Sequence, residues 1–334
     1  MQISEFIQQL PKVELHLHIE GTLEPEMKFT LAERNGIELP HKSAAEVRAS
    51  YDFTDLSSFL TAYYDGMSVL RTAEDFYDLA LAYLRKAAGQ NVRYAEIFFD
   101  PQAHTSRGVT FDTVISGLRR AQLQAEQQLG IRSALIMCFL RDFQAEYAMA
   151  TLLESLPYKQ WIIGVGLDSD ETGNPPAKFA AVYARARQEG YLLTMHCDVD
   201  IENSAEHIRQ AVEDIGVARI DHGTNVIENP ELVEVLVERG LGLTSCPISN
   251  TWVSDGSKVG LVKELVGRGV KVCVNSDDPA YFGGYIAENF QLVADEGQVD
   301  NSFLAQLSRN AVDISWAPLA LKAELRAEID ALFK

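Results

Sequence analysis

Residues 13–20 read VELHLHIE. Successive side chains of an extended chain alternate between two faces, so His16 and His18 project one way while Leu15 and Leu17 project the other. A strand built like this can pack its leucine face and offer both imidazoles to a single metal ion. The same rings could also serve as hydrogen-bonding groups in a polar groove. The choice between the two depends on what else the chain brings to that face.

Working outward, seven more apolar runs rich in β-branched residues follow: VRYAEIFFD (92–100), SALIMCFLR (133–141), IIGVGLDSD (162–170), YLLTMHCDV (191–199), RIDHGTNV (219–226), LGLTSCPIS (241–249) and KVCVNSDDP (271–279). Helical patterns separate them, among them FDTVISGLRRAQLQAEQQLG and NPELVEVLVERG. The second opens on Asn229 ahead of Pro230 and stops at a glycine. Strands alternating with helices predict a parallel sheet, and eight such units predict an α/β protein of the closed (β/α)8 TIM-barrel type. One metal-dependent barrel domain over 1–334 accounts for the chain. Residues 21–91 hold more helix than a single connection needs, including LSSFLTAYYDGMSVL and TAEDFYDLALAYLRKAAG. The surplus is expected to form a helical cap over the C-terminal mouth of the barrel, and a last helix over 317–334 ends the chain.

At 334 residues and 47% hydrophobic content, the chain can bury a large core. A formal charge of −19 repels phosphate backbones, which argues against nucleic acid as a partner. No run approaches the roughly 18–20 apolar residues that span a bilayer, so no membrane role is expected. The start, MQISEFIQQLPKVE, lacks a basic segment followed by an apolar one, and the expected location is cytoplasmic. Cys138, Cys197, Cys246 and Cys273 lie in apolar segments without CxxC spacing and read as reduced, buried residues. An exposed helical face leaves room for a homo-oligomer, though nothing in the sequence fixes one.

The polar residues collect at strand ends. Strand one carries His16 and His18, strand five His196, strand six His222, and strand eight Asp277 and Asp278. In a barrel these ends converge on one mouth. Four of the seven histidines at such positions are hard to explain by packing, because unpaired polar groups there are costly. A shared metal removes the cost. Three imidazoles and one carboxylate with an open position suit Zn2+, with Fe2+ or Co2+ as alternatives, so the expected ligands of one divalent ion are His16, His18, His196 and Asp277. Such an ion lowers the pKa of a bound water toward about 7. His222 is then placed to take or shuttle the water's proton, or else to orient a ligand from behind. Asp278 should face another part of the pocket.

These features together resemble the adenosine/adenine deaminases of the amidohydrolase superfamily. The likeness rests on H-x-H in strand one, histidines in strands five and six, and S-D-D-P in strand eight. It extends through HLHIEGTLEPE, GLDSDETGNPPAKF, RIDHGTNVIENP, TSCPISN and VNSDDPAYFGGY, essentially the whole length. The resemblance implies a mononuclear metal-activated hydroxide attacking C6 of a small-molecule purine, with the exocyclic amine as leaving group.

Two departures from the family pattern bear on the substrate. Where family adenosine deaminases have HLDG, Glu20 replaces the aspartate that reaches the ribose, and its longer side chain would occupy the sugar's space. A free base is therefore favoured, with Glu20 expected at the substrate. Glu171, in SDETG, is expected either to read a ring nitrogen or to hold its loop. On strand five the family's H-A-G-E glutamate protonates N1, whereas this chain has His196-Cys197-Asp198-Val199-Asp200. Asp198 and Asp200 share the face of His196 in an extended strand, so either is a candidate general acid. Asp278 joins them as a catalytic or substrate-binding carboxylate. The HCDVD variant resembles deaminases of N6-substituted adenines such as N6-isopentenyladenine, which release hypoxanthine and an alkylamine. Phe59, Tyr63, Tyr64 and Met67 of the cap could shelter the substituent. Adenine deaminase ranks second, adenosine deaminase third, and a purine-binding barrel without turnover last. His41, His104 and His207 are expected in surface or capping roles, and Asn275-Ser276 as shaping the end of strand eight.

Overall fold

All eight expected strands occur in a computed structural model that describes residues 2–197 and 201–333. β1 (Lys12–Glu14), β2 (Val92–Phe99), β3 (Arg132–Leu140), β4 (Ile162–Asp168) and β5 (Leu192–Leu193) form one parallel ladder in sequence order; β6 (Arg219–Asp221), β7 (Gly242–Ser245) and β8 (Lys271–Val274) form a second. Two seams close the barrel where the ladders give out. At one, Asp277 N donates to His16 O and His18 N to Asp277 O, both at 3.1 Å. At the other, Asp221 N donates to Met195 O at 2.8 Å and Cys197 N to Asp221 O at 3.0 Å.

The ladders in β1, β5, β6, β7 and β8 are shorter than the sequence patterns predict. In β1, β6, β7 and β8 the C-terminal part of each pattern lies beyond the ladder. Pro247 and Pro279 start short helices, since proline has no N–H to give a ladder and its fixed φ suits a first helical turn. His222 (φ 60°) and Asp277 (φ 63°) adopt the left-handed conformation that ends an extended run.

Alternation along the strands divides two cores. Phe98 packs inside the barrel with Ile136 and Cys138, while its neighbour Phe99 faces the helices and meets Phe111. Glycine permits the close approach on β4: a Cβ on Gly166 would lie 2.6 Å from Cys138 Sγ. Lower in the barrel, the fully buried Arg219 pairs with Glu96 and lies 4.5 Å from the Trp316 ring.

Four helices matter below: α1 (Leu56–Gly66), α2 (Ala73–Gly89), α3 (Phe111–Leu129) and α4 (Asn301–Ile314). Asp55 and Ser58 form a capping box at the start of α1, and Thr72 and Asp75 do the same for α2. α2 and α3 pack on each other outside the barrel, and α4 covers β8. α1 buries Phe59 and Tyr63, four residues apart on one face, toward the mouth. Asn229 caps the helix Pro230–Arg239 through Leu232 N, and Gly240 ends it in the left-handed conformation, as expected. All four cysteines are buried thiols outside any disulfide. Among the described residues no helix is long and apolar enough to cross a membrane.

Candidate active site

His16, His18, His196 and Asp277 converge so that one ligand atom from each lies within 4.8 Å of all the others. His18 Nε2 is 3.0 Å from His196 Nε2, His16 Nε2 is 3.2 Å from Asp277 Oδ1, and His18 Nε2 is 3.5 Å from that same oxygen. A tetrahedral ion with bonds of about 2.0–2.1 Å holds its ligand atoms roughly 3.3–3.4 Å apart. The spacing fits. All three rings turn Nε2 inward, and the buried Nε2 of His16 has no hydrogen-bond partner.

Behind the rings stand groups that fix this orientation. His16 Nδ1 hydrogen-bonds Thr244 Oγ1 at 2.8 Å, and that hydroxyl donates to Asp221 Oδ1 at 3.2 Å. Asp168 Oδ2 lies 3.4 Å from His18 Nδ1, and Asp221 Oδ2 lies 3.9 Å from His196 Nδ1. A carboxylate or hydroxyl on the outer nitrogen selects the tautomer whose inner nitrogen carries a lone pair. Phe98 sits 5.1–5.3 Å from the three rings and forms an apolar floor.

Electrostatics favour the same state. Burial lowers His16 to about 4 even though Asp277 opposes it, and burial plus the neighbouring imidazoles push His196 well below its ordinary value. Burial alone would raise Asp277, but His16, His222 and His18 hold it well below the carboxylate range. Neutral imidazoles beside an ionised carboxylate are the protonation states that a divalent cation requires.

The cluster opens into a pocket of about 590 Å3, its open mouth included. Phe59, Leu60, Tyr63 and Tyr64 of α1 form one wall, and Tyr64 Oη donates to Ser169 Oγ at 2.8 Å across the opening. Asp100, Asp168, Glu171, Asp277 and Asp278 bring carboxyl groups to the lining. Burial first, then Asp168 and Glu20, raise Asp100 well above the usual range. Asp168 is pushed up to about 6 by burial, with His18 opposing. Asp278 is raised by burial and by Asp277 beside it. Gly21 has to be glycine here, because a Cβ would lie 2.0 Å from Asp278 Oδ1.

Comparison with known proteins matches the adenosine deaminase family over residues 11–332. The chain belongs to the adenosine deaminase family. It is 50% identical over 329 residues to the adenine deaminase of Rhodospirillum rubrum, covering 98% of each chain. The crystal structure of adenine deaminase from Arthrobacter aurescens superposes with a TM-score of 0.94 at 44% identity, covering 97% of this chain and 99% of that one. An amidohydrolase from Burkholderia ambifaria with bound Zn superposes at 0.90 with 26% identity, covering 100% and 94%. The (β/α)8 amidohydrolase barrel and the hydrolytic enzyme class follow from this membership.

Within this family framework, the residues singled out by sequence fall in different places. His222 lines the pocket with Nε2 3.6 Å from Asp277 Oδ2, and its buried Nδ1 has no partner. Asp278 and Glu171 line the same pocket, Glu171 lying 3.7 Å from Arg141 and 4.0 Å from His207. Asp198 and Asp200 lie outside the described residues. Glu20 is not among the residues that line the pocket. It is fully buried behind the pocket wall, where Oε1 accepts from Asp100 N at 3.1 Å and bonds His104 Nε2 at 2.8 Å. His104 and His207 are buried rather than superficial, each facing a glutamate. Met67 is buried in the core and does not line the pocket, unlike Phe59, Tyr63 and Tyr64. Sequence reasoning missed Asp100, Asp168 and Asp221. Asp168 and Asp221 end their strands and Asp100 directly follows β2, the same signal that marked the histidines.

Proposed function

We propose that the protein hydrolyses adenine to hypoxanthine and ammonia. The carrying observation is 50% identity along nearly the full length of both chains to a protein named adenine deaminase, combined with a donor set that suits one divalent ion. Zn2+ is the proposed ion and Fe2+ the alternative, held by His16, His18, His196 and Asp277. When bound, the ion makes water a nucleophile at neutral pH.

The protein's own residues supply the rest. His222 takes the proton of the water that attacks C6, since its imidazole borders the ligand cluster and one ring nitrogen is unengaged. Asp278, kept neutral by burial beside Asp277, donates to a ring nitrogen of the purine. Glu171 borders the same base. One of Asp198 and Asp200 delivers the proton to N1. Phe59, Tyr63 and Tyr64 cover the ring system and exclude water.

The N6-substituted adenines that HCDVD suggested yield to the unsubstituted base. Relatives at 46–50% identity carry the name adenine deaminase, and Met67 takes no part in the wall expected to shelter a substituent. Turnover of metal-replete protein on adenine, adenosine and N6-isopentenyladenine in parallel tests this reading. Adenine is expected to be faster than either by at least about tenfold, with hypoxanthine and ammonia as products. A faster substituted base would restore the earlier ranking.

A further inference from the structure

We infer that Asp100 determines specificity for the free base by accepting the imidazole-ring N–H of the purine, a donor that an N9-substituted purine lacks. The inference rests on the adenine reading above and assigns a role to a residue which that reading leaves unused.

Asp100 follows β2 directly, is 1% exposed and lines the pocket. Its Oδ2 receives a long hydrogen bond from Tyr63 Oη at 3.5 Å, the Asp168 carboxyl lies beside it, and its buried Oδ1 has no N–H or hydroxyl donor. A buried acceptor left without a donor is costly unless a ligand supplies one. Neighbouring carboxyls have other company. Asp168, which stands beside Asp100, also faces His18 Nδ1, and Asp277 faces three imidazoles.

The position is also firmly held. Glu20 Oε1 accepts from Asp100 N, His104 Nε2 bonds that same Oε1, and Arg107 Nη2 bonds His104 Nδ1 at 2.7 Å. This chain, running Arg107–His104–Glu20–Asp100, fixes the backbone from behind while Tyr63 covers the side chain from α1. Glu20 thus acts on the substrate through Asp100 rather than by contact.

Ligand chemistry supplies the missing donor. Free adenine carries two kinds of N–H, the exocyclic amine and one ring N–H on the imidazole portion. The amine must sit at the reacting centre, which leaves the ring N–H as the only donor for a carboxyl oxygen elsewhere on the wall. One oxygen of a carboxyl group accepts in either protonation state. A nucleoside or 9-alkyl purine replaces that hydrogen with carbon, leaves Oδ1 unpaired and puts bulk against Asp100.

The test compares adenine with 9-methyladenine on the metal-loaded wild type and on Asp100→Ser, with metal content measured for both. Wild type is expected to favour adenine in kcat/KM by roughly 100-fold. In Asp100→Ser that preference should shrink by roughly 10-fold or more, through slower use of adenine. A metal-loaded serine variant that keeps the full preference overturns the inference. Calorimetry of hypoxanthine and 9-methylhypoxanthine on the wild type decides the matter if the variant fails to fold. Tighter binding of hypoxanthine supports the role of Asp100, and equal affinities overturn it. Should wild type bind hypoxanthine selectively yet leave adenine unchanged, the adenine reading falls while the assignment of Asp100 stands.

Discussion

The barrel buries charge in two places and provides for it in opposite ways. In the lower interior Arg219 pairs with Glu96, whose other oxygen accepts from Trp316 N. Lys12 Nζ donates to the carbonyls of Ile7, Leu10 and Gln90, and Glu14 accepts from Tyr83 Oη and from both donors of Ser276. At the mouth, Asp100 Oδ1 and Asp278 Oδ1 are as deeply buried but have no hydrogen-bond donor. Packing treats both layers alike, so the contrast is chemical. Apart from Arg219 Nε, which lies 3.6 Å from Asp221 Oδ1, the lower layer is completed by the fold, and the upper layer is left for something the chain does not contain.

If that division holds, the largest effect belongs to the proposed ligand that bridges the most imidazoles. Asp277→Ala should lose bound metal and at least about 1000-fold in turnover while keeping its secondary structure. Metal analysis alongside the adenine assay reads both, and an active, fully metallated variant would remove Asp277 from the ligand set. Arg219→Met probes the other layer. Leaving Glu96 buried without its partner should cost about 3–5 kcal/mol, seen as a lower denaturation midpoint, with metal still bound by the folded fraction. Wild-type stability in this variant would mean that the interior pair is dispensable and the contrast superficial. Asp168→Asn should have the smallest effect. It weakens the hold on His18 and is expected to reduce metal affinity by about 10- to 100-fold in competition with a chelator. An unchanged affinity would show that Asp168 belongs with the substrate-facing carboxyls instead.

Much of this was legible in the sequence because the signals are local. Alternation in VELHLHIE placed His16 and His18 on one face, and polar residues at strand ends marked the mouth. Strand lengths were less legible, since the left-handed turns at His222 and Asp277 depend on contacts across the mouth and leave no apolar break in the sequence. Asp100 went unread because FFDP looks like an ordinary strand-to-helix turn. Only the fold shows that Asp168, from β4, stands beside it. His104 looked superficial because its partner Glu20 comes from the other end of the cap segment. Substrate choice is not legible in HCDVD alone, because a wall of the pocket is built by α1, far away in sequence.

The two seams carry a mechanical consequence. Of the four proposed ligands, three sit at the β1/β8 seam and His196 at the β5/β6 seam, so one ion would clasp both closures at once. It would tie residues near the start of the chain to residue 277, acting like a reversible staple whose loop takes in most of the polypeptide. The folded state then gains stability with free metal concentration, by about 4 kcal/mol at a thousandfold excess over the dissociation constant. Scarcity of metal would thus loosen the barrel itself as well as silence it, making persistence in the cell a readout of metal supply.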